Sequence, residues 1–185
     1  MKREFDKLGQ LPVRRVVVRA AEVDEIPELV RMAATEIPSL AAAQSAVVRV
    51  QTKNPDNVWS FRSSGKLVGI YAMLLLNADG QRRLLAGELD CSDPLMDCLA
   101  SPGEPVAAIY KWAVVARGTA AEGIRGMSRR LQQPPFDSAN LYARAIGAAA
   151  QRLDFNLGFR PVRPDSDLLV YVRIKNRAVR SPLAA

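Results

Sequence analysis

The sequence contains no histidine among its 185 residues. This absence excludes hydrolases that rely on a Ser-His-Asp or Cys-His system, and zinc motifs that need two histidines. Any proton transfer must therefore use a carboxylate, a tyrosine, a lysine, a cysteine, a terminal amine or water. The only two cysteines are Cys91 and Cys98. They do not supply the four ligands of a structural zinc site, so we predict no metal centre and two reduced, partly buried thiols.

Long apolar segments are also missing. The longest apolar run covers residues 67–76, whereas a membrane-spanning helix needs roughly 20 apolar residues. Residues 1–10 are charged and lack the apolar stretch of a signal peptide. These features predict a cytoplasmic protein that is not inserted in a membrane.

Basic residues outnumber acidic residues. Lysine and arginine together number 26 against 19 acidic residues, a formal net charge of +7. Such an excess attracts anions, which fits both nucleic acid and coenzyme A. The basic residues are spread along the chain, and aromatic residues make up only 6%. Because single-strand binders interleave basic and aromatic residues, nucleic-acid binding is the less favoured interpretation.

The length and the hydrophobic fraction of 49% fit one domain with one core. We predict a single domain over residues 16–177, with an N-terminal extension at 1–15 and a C-terminal tail at 178–185. The hydrophobic periodicity predicts strands and helices in alternation. Residues 40–51 are assigned to one helix and residues 78–80 to a turn, and Ser63-Ser64-Gly65 between two predicted strands indicates a hairpin. The predicted strands are 16–19, 58–62, 66–76, 106–115, 141–146, 159–162 and 168–174.

Three stretches of sequence support a family resemblance. They are the opening strand and helix at 17–29, the strand at 109–115 with its following helix through 122–126, and the ending 153–162, which contains Gly158-Phe159-Arg160-Pro161. In order and spacing they resemble the GNAT superfamily of acyl-CoA-dependent acyltransferases. The resemblance implies an α/β fold with a mixed, mostly antiparallel sheet flanked by helices. It also implies acetyl-CoA or another acyl-CoA as co-substrate.

The resemblance assigns the coenzyme to the strand and helix in the middle of the chain. Small residues at a helix N-terminus let main-chain N–H groups approach a pyrophosphate, which the helix dipole also favours. The main-chain groups of the strand would pair with the pantetheine amides. The implied coenzyme-binding residues are Ala113, Val114, Val115, Ala121, Gly123, Ile124, Arg125 and Gly126.

The sequence departs from the family pattern at several of these positions. Gly123 matches the first glycine of the phosphate-binding loop, but Ala120 and Arg125 occupy its other two signature positions. Asp154 stands where the family often has a tyrosine that protonates the leaving thiolate. The helical pattern places Leu153 inward, and Asp154 is then interpreted as a solvated residue.

Two tyrosines and an acidic insert supply further candidate residues for the site. Tyr110 and Tyr142 lie on predicted strands near the site, and packing is the more typical role of each. The insert at 78–104 carries four carboxylates that we expect to give the acceptor side an acidic character suited to a cationic amine. They are Glu88, Asp90, Asp93 and Asp97.

Two functions stay open from the sequence. The first is an N-acyltransferase that moves an acetyl or other acyl group from coenzyme A to an amine, with Asp154, Tyr110 and Tyr142 as weak catalytic candidates. The second is a catalytically degenerate GNAT-fold module for binding or interaction. The resemblance also implies a homodimer.

Overall fold

A computed structural model of the chain describes residues 15–116, 118–145 and 147–173. Seven strands form one sheet in the order β1-β2-β3-β4-β5-β7-β6, antiparallel except between β4 and β5. This confirms the predicted fold class. The strands are β1 Val16–Ala20, β2 Val58–Ser63, β3 Lys66–Leu76, β4 Ala108–Ala116, β5 Asn140–Arg144, β6 Arg160–Pro161 and β7 Leu168–Tyr171.

Six α-helices accompany the sheet in the described part of the chain. Helices α1 to α3 pack on one face, where Ile26 and Val47 meet Ile70 of β3. Helix α5 packs on the opposite face, where Met127 joins Phe61 of β2. The core therefore forms two layers on either side of the sheet. The helices are α1 Ile26–Ala34, α2 Ser39–Ala42, α3 Gln44–Lys53, α4 Ala78–Ala86, α5 Ala121–Leu131 and α6 Ala148–Asn156.

The hairpin between β2 and β3 follows the sequence prediction. Ser64 and Gly65 connect the strands and both have positive φ, 51° and 76°. Two successive residues with positive φ are what a tight two-residue hairpin turn requires. The turn therefore places Ser63 opposite Lys66, and a register shift between Phe61 and Arg62 then brings Trp59 opposite Tyr71.

Two local predictions are wrong. The helix predicted at 40–51 is two helices, because Ala43 departs from helical geometry with φ −91° and ψ 7°. The turn predicted at 78–80 is the first turn of α4, whose N-cap Asn77 accepts a hydrogen bond from the main-chain N–H of Gly80. Gly80 suggested a turn, but a Cβ there would lie 2.1 Å from the Cys98 carbonyl oxygen. Its smallness therefore serves close packing.

The sheet opens on one side of β4. Strand β5 pairs with only the first four residues of β4, ending with Lys111 opposite Ala143. The rest of β4 stays paired with β3 on its other edge, with a register shift that places Trp112 and Ala113 in the same core cluster. The two parallel strands therefore diverge beyond Lys111, and this split positions the site described below.

Some predictions fall outside the described residues. They include the predicted strand ends at Ile146 and Ile174, residues 1–14 of the extension predicted at 1–15, and the tail at 178–185. Cys91 and Cys98 are free thiols, as predicted, with Cys98 buried. In the ranges that the structure describes, no helix has the length and apolarity needed to cross a membrane, and no cluster of metal-binding side chains occurs.

Candidate functional site

A cavity of about 800 Å³ occupies the split between β4 and β5. Val114 and Ala116 line it from β4, and Leu141 and Ala145 line it from β5 and the segment that follows. Helix α5 contributes one face, with Ile124, Ser128 and Leu131 at helical spacing. Helix α6 contributes the opposite wall through Ala150, Leu153, Asp154 and Leu157. The cavity volume is that of a typical small-molecule site.

The residues predicted to bind the coenzyme lie in four different environments. Ala113, Val114 and Ile124 line the cavity. Val115 is buried in the core on the other face of the sheet, as expected if only its main chain serves the site. Ala121 and Arg125 lie exposed in the first turns of α5. The assignment of these residues to the coenzyme stays a prediction.

Gly123 and Gly126 face the sheet. A Cβ on Gly123 would lie 2.6 Å from carbon atoms of the Phe61 ring, and one on Gly126 would lie 3.0 Å from Val18 Cγ2. Both glycines therefore let α5 lie close against β1 and β2. This packing gives a reason for the small residues that does not depend on a phosphate.

An ion pair with a buried carboxylate lies at the closed end of the split. The ammonium of Lys111, on β4, donates to Asp154 Oδ1 on α6. The Asp154 side chain is 1% exposed, and its Oδ2 has no hydrogen-bond partner among the described residues. Lys111 Nζ also lies 5.3 Å from the centroid of the Phe159 ring. Both charged residues line the cavity.

The interpretation of Asp154 as a solvated residue is therefore wrong. The sequence pattern placed Leu153 and Leu157 inward, but these are 56% and 55% exposed. The apolar face of α6 lies over the cavity, so it has no protein core to cover it. Asp154 points instead to β4, where Lys111 offers the charge that its burial requires.

Tyr71 and Arg173 add two further polar groups to the cavity wall. Burial raises the pKa of the Tyr71 hydroxyl far above its ordinary value, Arg173 opposes this shift, and Asp154 adds to it. Arg173 Nε donates to the Ala139 carbonyl at 3.1 Å, and burial lowers the pKa of its guanidinium. Tyr71 is thus held as a neutral phenol that is influenced by the charges of Arg173 and Asp154.

The two tyrosines named from the sequence lie elsewhere. Tyr110 and Tyr142 are buried together in the core beside α4, and neither lines the cavity. Burial raises the pKa of Tyr110 to about 12, with a further contribution from Cys91. Their packing role, which the sequence favoured, agrees with this position.

The acidic insert does not form the cavity. None of its four predicted carboxylates lines it. Asp93 pairs with Arg49, and Glu88 approaches Arg82 at 3.5 Å. Asp90 accepts from the main chain and hydroxyl of Ser92. The acidic residues that do line the cavity are Glu36, Asp137 and Asp154.

Sequence reasoning missed Lys111 and Tyr71. Lys111 is the only charged residue within the β4 segment Ala108–Ala116, and a lone charge on a central strand is a signal of a buried partner. Tyr71 carries no comparable signal, because an aromatic residue within an apolar strand is ordinary core composition.

Comparisons with known proteins identify the fold. No family model and no curated protein matches the sequence at a significant level. The loading GNATL domain of CurA from Lyngbya majuscula superposes with a TM-score of 0.63 at 12% identity, over 88% of this chain and all of that domain. The GphF GNAT-like decarboxylase, solved with isobutyryl-CoA, gives 0.55 at 15% identity over 84% of this chain and 98% of its own.

A GNAT-family acetyltransferase from Listeria monocytogenes 4b F2365 gives a TM-score of 0.52 at 12% identity, over 84% of this chain and 92% of its own. At such identities the likeness concerns the fold alone. The chain therefore has the GNAT fold, as the sequence resemblance implied.

Proposed function

We propose that this chain binds an acyl-coenzyme A in the split between β4 and β5 and transfers the acyl group to an amine acceptor. The observation that carries the proposal is the split itself. Beyond Lys111, the β4 edge that faces β5 has no strand partner in the described residues, and it borders a cavity of about 800 Å³. An extended ligand with amide groups can pair with such an edge.

The direction of the ligand follows from the elements at the two ends of the split. Helix α5 begins shortly after β4 ends, and Ala120 at its N-cap position has no side chain that caps the first turn. The N–H groups at a helix N-terminus and the helix dipole favour a pyrophosphate there. Arg125 adds a positive charge. The acyl thioester then lies toward the closed end, beside Lys111 and Asp154.

The chemistry rests mainly on positioning. An amine and a thioester held together react faster because their translational freedom has already been lost on binding, before the chemical step. Donors aimed at the carbonyl oxygen stabilise the negative charge that develops on it. Without histidine anywhere in the sequence, proton transfer falls to the lysine, tyrosine and carboxylate of the cavity wall or to water.

The structural neighbours support acyl-CoA as the ligand more than they support an amine as the acceptor. GphF is named as a GNAT-like decarboxylase in complex with isobutyryl-CoA, and the Listeria protein as a GNAT-family acetyltransferase. They share the fold with this chain, and the proposal extends the acyl-CoA ligand to it. A cytoplasmic location and a homodimer stay predictions. Light scattering on the purified protein tests the dimer.

A module that binds without catalysis is the second candidate. It is favoured by Asp154, which replaces the usual tyrosine and is engaged with Lys111. Turnover distinguishes the two functions. An acyltransferase releases coenzyme A thiol from acetyl-CoA when a primary amine is added, whereas a binding module binds acetyl-CoA without release.

Thermal denaturation with acetyl-CoA tests the binding. A ligand at 100 times its Kd adds about 2.7 kcal/mol to the free energy of unfolding and raises the Tm. Ala150→Trp fills the cavity from α6 and should abolish the rise. Ala86→Trp, an exposed alanine at the end of α4, is the matched control and should retain it. No rise at millimolar acetyl-CoA would refute the proposal.

A further inference from the structure

The Lys111–Asp154 pair has features of a reactive site. Asp154 is 1% exposed, yet one of its two carboxylate oxygens has no partner among the described residues. An ion pair kept only for stability is expected to satisfy both carboxylate oxygens, because a buried acceptor without a hydrogen bond is destabilising. The pair therefore carries a cost that a ligand in the adjoining cavity can offset.

The position of the pair relates to the bound coenzyme. Lys111 is the last β4 residue that pairs with β5, and Ala116 at the open end lies five positions further along the strand. At the rise of a β-strand this distance is about 17 Å, which is similar to the extended pantetheine arm. A coenzyme with its pyrophosphate at α5 therefore brings its sulfur to Lys111.

Lys111 is also the suitable donor at this end. Its ammonium carries three N–H donors, and Asp154 Oδ1 takes one of them. The other cations of the wall are arginines, whose guanidinium does not give up its proton in proteins. The titratable or charged groups that line the same cavity are Glu36, Tyr71, Asp137, Arg144, Tyr171 and Arg173.

We propose that Lys111 donates the proton to the coenzyme A thiolate as it leaves, and that Asp154 positions the lysine for this transfer. The assignment rests on the proposed acyl-CoA function. In the balanced step, the neutral amine nitrogen bonds to the thioester carbon, and the carbon–sulfur bond breaks with its electron pair on sulfur. Lys111 Nζ gives a proton to sulfur and takes the surplus proton from the new amide nitrogen.

The test uses free coenzyme A, so it needs no acceptor. The ultraviolet absorbance of the bound thiolate is titrated with protein in excess, and a parallel sample with desulfo-coenzyme A removes the signal of the protein's tyrosines. A positive charge near the sulfur lowers the thiol pKa by about one unit or more, and a nearby carboxylate raises it. Lys111→Met should therefore raise the thiol pKa by about one unit, and Asp154→Asn should lower it.

Control variants separate this role from a structural one. Lys111→Arg keeps the charge and should leave the thiol titration near that of the wild type. Lys66→Met, an exposed lysine at the start of β3, should not change it. Because Lys111→Met leaves a buried carboxylate, the double variant Lys111→Met/Asp154→Leu provides a folded protein that lacks both charges.

The outcomes distinguish the two proposals. If the wild type does not bind coenzyme A, the proposed function fails and this assignment with it. If coenzyme A binds but its thiol titrates equally in the wild type, Lys111→Met and the double variant, only the assignment is overturned. A shift caused by Tyr71→Phe, with none from Lys111→Met, would overturn it in favour of the phenol.

Discussion

Gly123 of α5 lies directly against the ring of Phe61 on β2, and a Cβ at position 123 would come within 2.6 Å of two ring carbons. Phe61 is fully buried. This contact sets how closely the helix approaches the sheet. It also places the first turn of α5 next to the end of β4, where the proposed coenzyme site begins.

Gly123→Ala should lower the free energy of unfolding by about 1–2 kcal/mol. Alanine gains about 1 kcal/mol of helix propensity over glycine, but overpacking a core costs about 1–3 kcal/mol and the buried ring has no space to move. Urea denaturation measures the change. Gly126→Ala, whose added Cβ meets Val18 at 3.0 Å from Cγ2 and 3.7 Å from Cβ, should be nearly neutral. Equal stability of both variants and the wild type would contradict the packing role.

Removing Lys111 alone should destabilise the protein more than removing both charges of the Lys111–Asp154 pair. Lys111→Met leaves an unpaired buried carboxylate and should lower the free energy of unfolding by about 3 kcal/mol. The double variant Lys111→Met/Asp154→Leu removes both charges and should recover most of this loss. Chemical denaturation of the three proteins checks the order. If the double variant is as unstable as the single one, the buried charge is not the cause.

The stability of the protein should fall in acid partly through Glu25. Burial raises the pKa of this carboxyl, but the Glu22 main-chain N–H and the Arg62 and Arg19 guanidinium groups together lower it below its ordinary value. A lowered pKa in the folded state stabilises the protein above the unfolded pKa, and this stability is lost as the pH falls through the folded value.

Glu25→Gln should therefore be less stable than the wild type at neutral pH and should lose less stability between about pH 5 and pH 3. Thermal denaturation across this range measures both effects. Glu28→Gln, an exposed carboxyl on α1, is the control and should follow the wild type. Parallel curves for Glu25→Gln and the wild type would contradict the predicted linkage.

Arg125→Glu should weaken coenzyme A binding about tenfold, which corresponds to about 1.4 kcal/mol. The arginine lies exposed in the first turns of α5, where the proposed pyrophosphate contact is charge-assisted. Isothermal titration calorimetry at low and high salt measures the effect, which should shrink as salt screens the charge. Arg31→Glu on α1 makes the same charge change on the opposite face of the sheet and should alter the affinity little.

Much of the fold follows from local patterns in the sequence. Alternating apolar runs and turn residues gave the hairpin around Ser64 and Gly65, and helical spacing gave α1 and α5. The predictions failed where a tertiary contact decided the structure. Gly80 reads as a turn residue, but the approach of the Cys98 carbonyl explains why a helix carries it.

The candidate site was harder to predict because it depends on pairs distant in sequence. Lys111 and Asp154 are separated by 43 positions, and nothing in the spacing of either residue indicates the other. The buried face of α6 was predicted wrongly for a related reason. Leu153 and Leu157 follow a core-facing pattern, but the space that they face is a cavity.

The split in the sheet has a mechanical consequence. Strands β1 to β4 form one piece and strands β5 to β7 a second, and the pieces are joined in the sheet only through the seam of Ala108–Lys111 with Asn140–Ala143 among the described residues. A pantetheine arm in the split would fill the gap between the two pieces as an added strand would. The coenzyme would then hold the two parts of the sheet together as well as react. Each release of product would leave the C-terminal strands attached to the sheet only through the short pairing of β4 with β5.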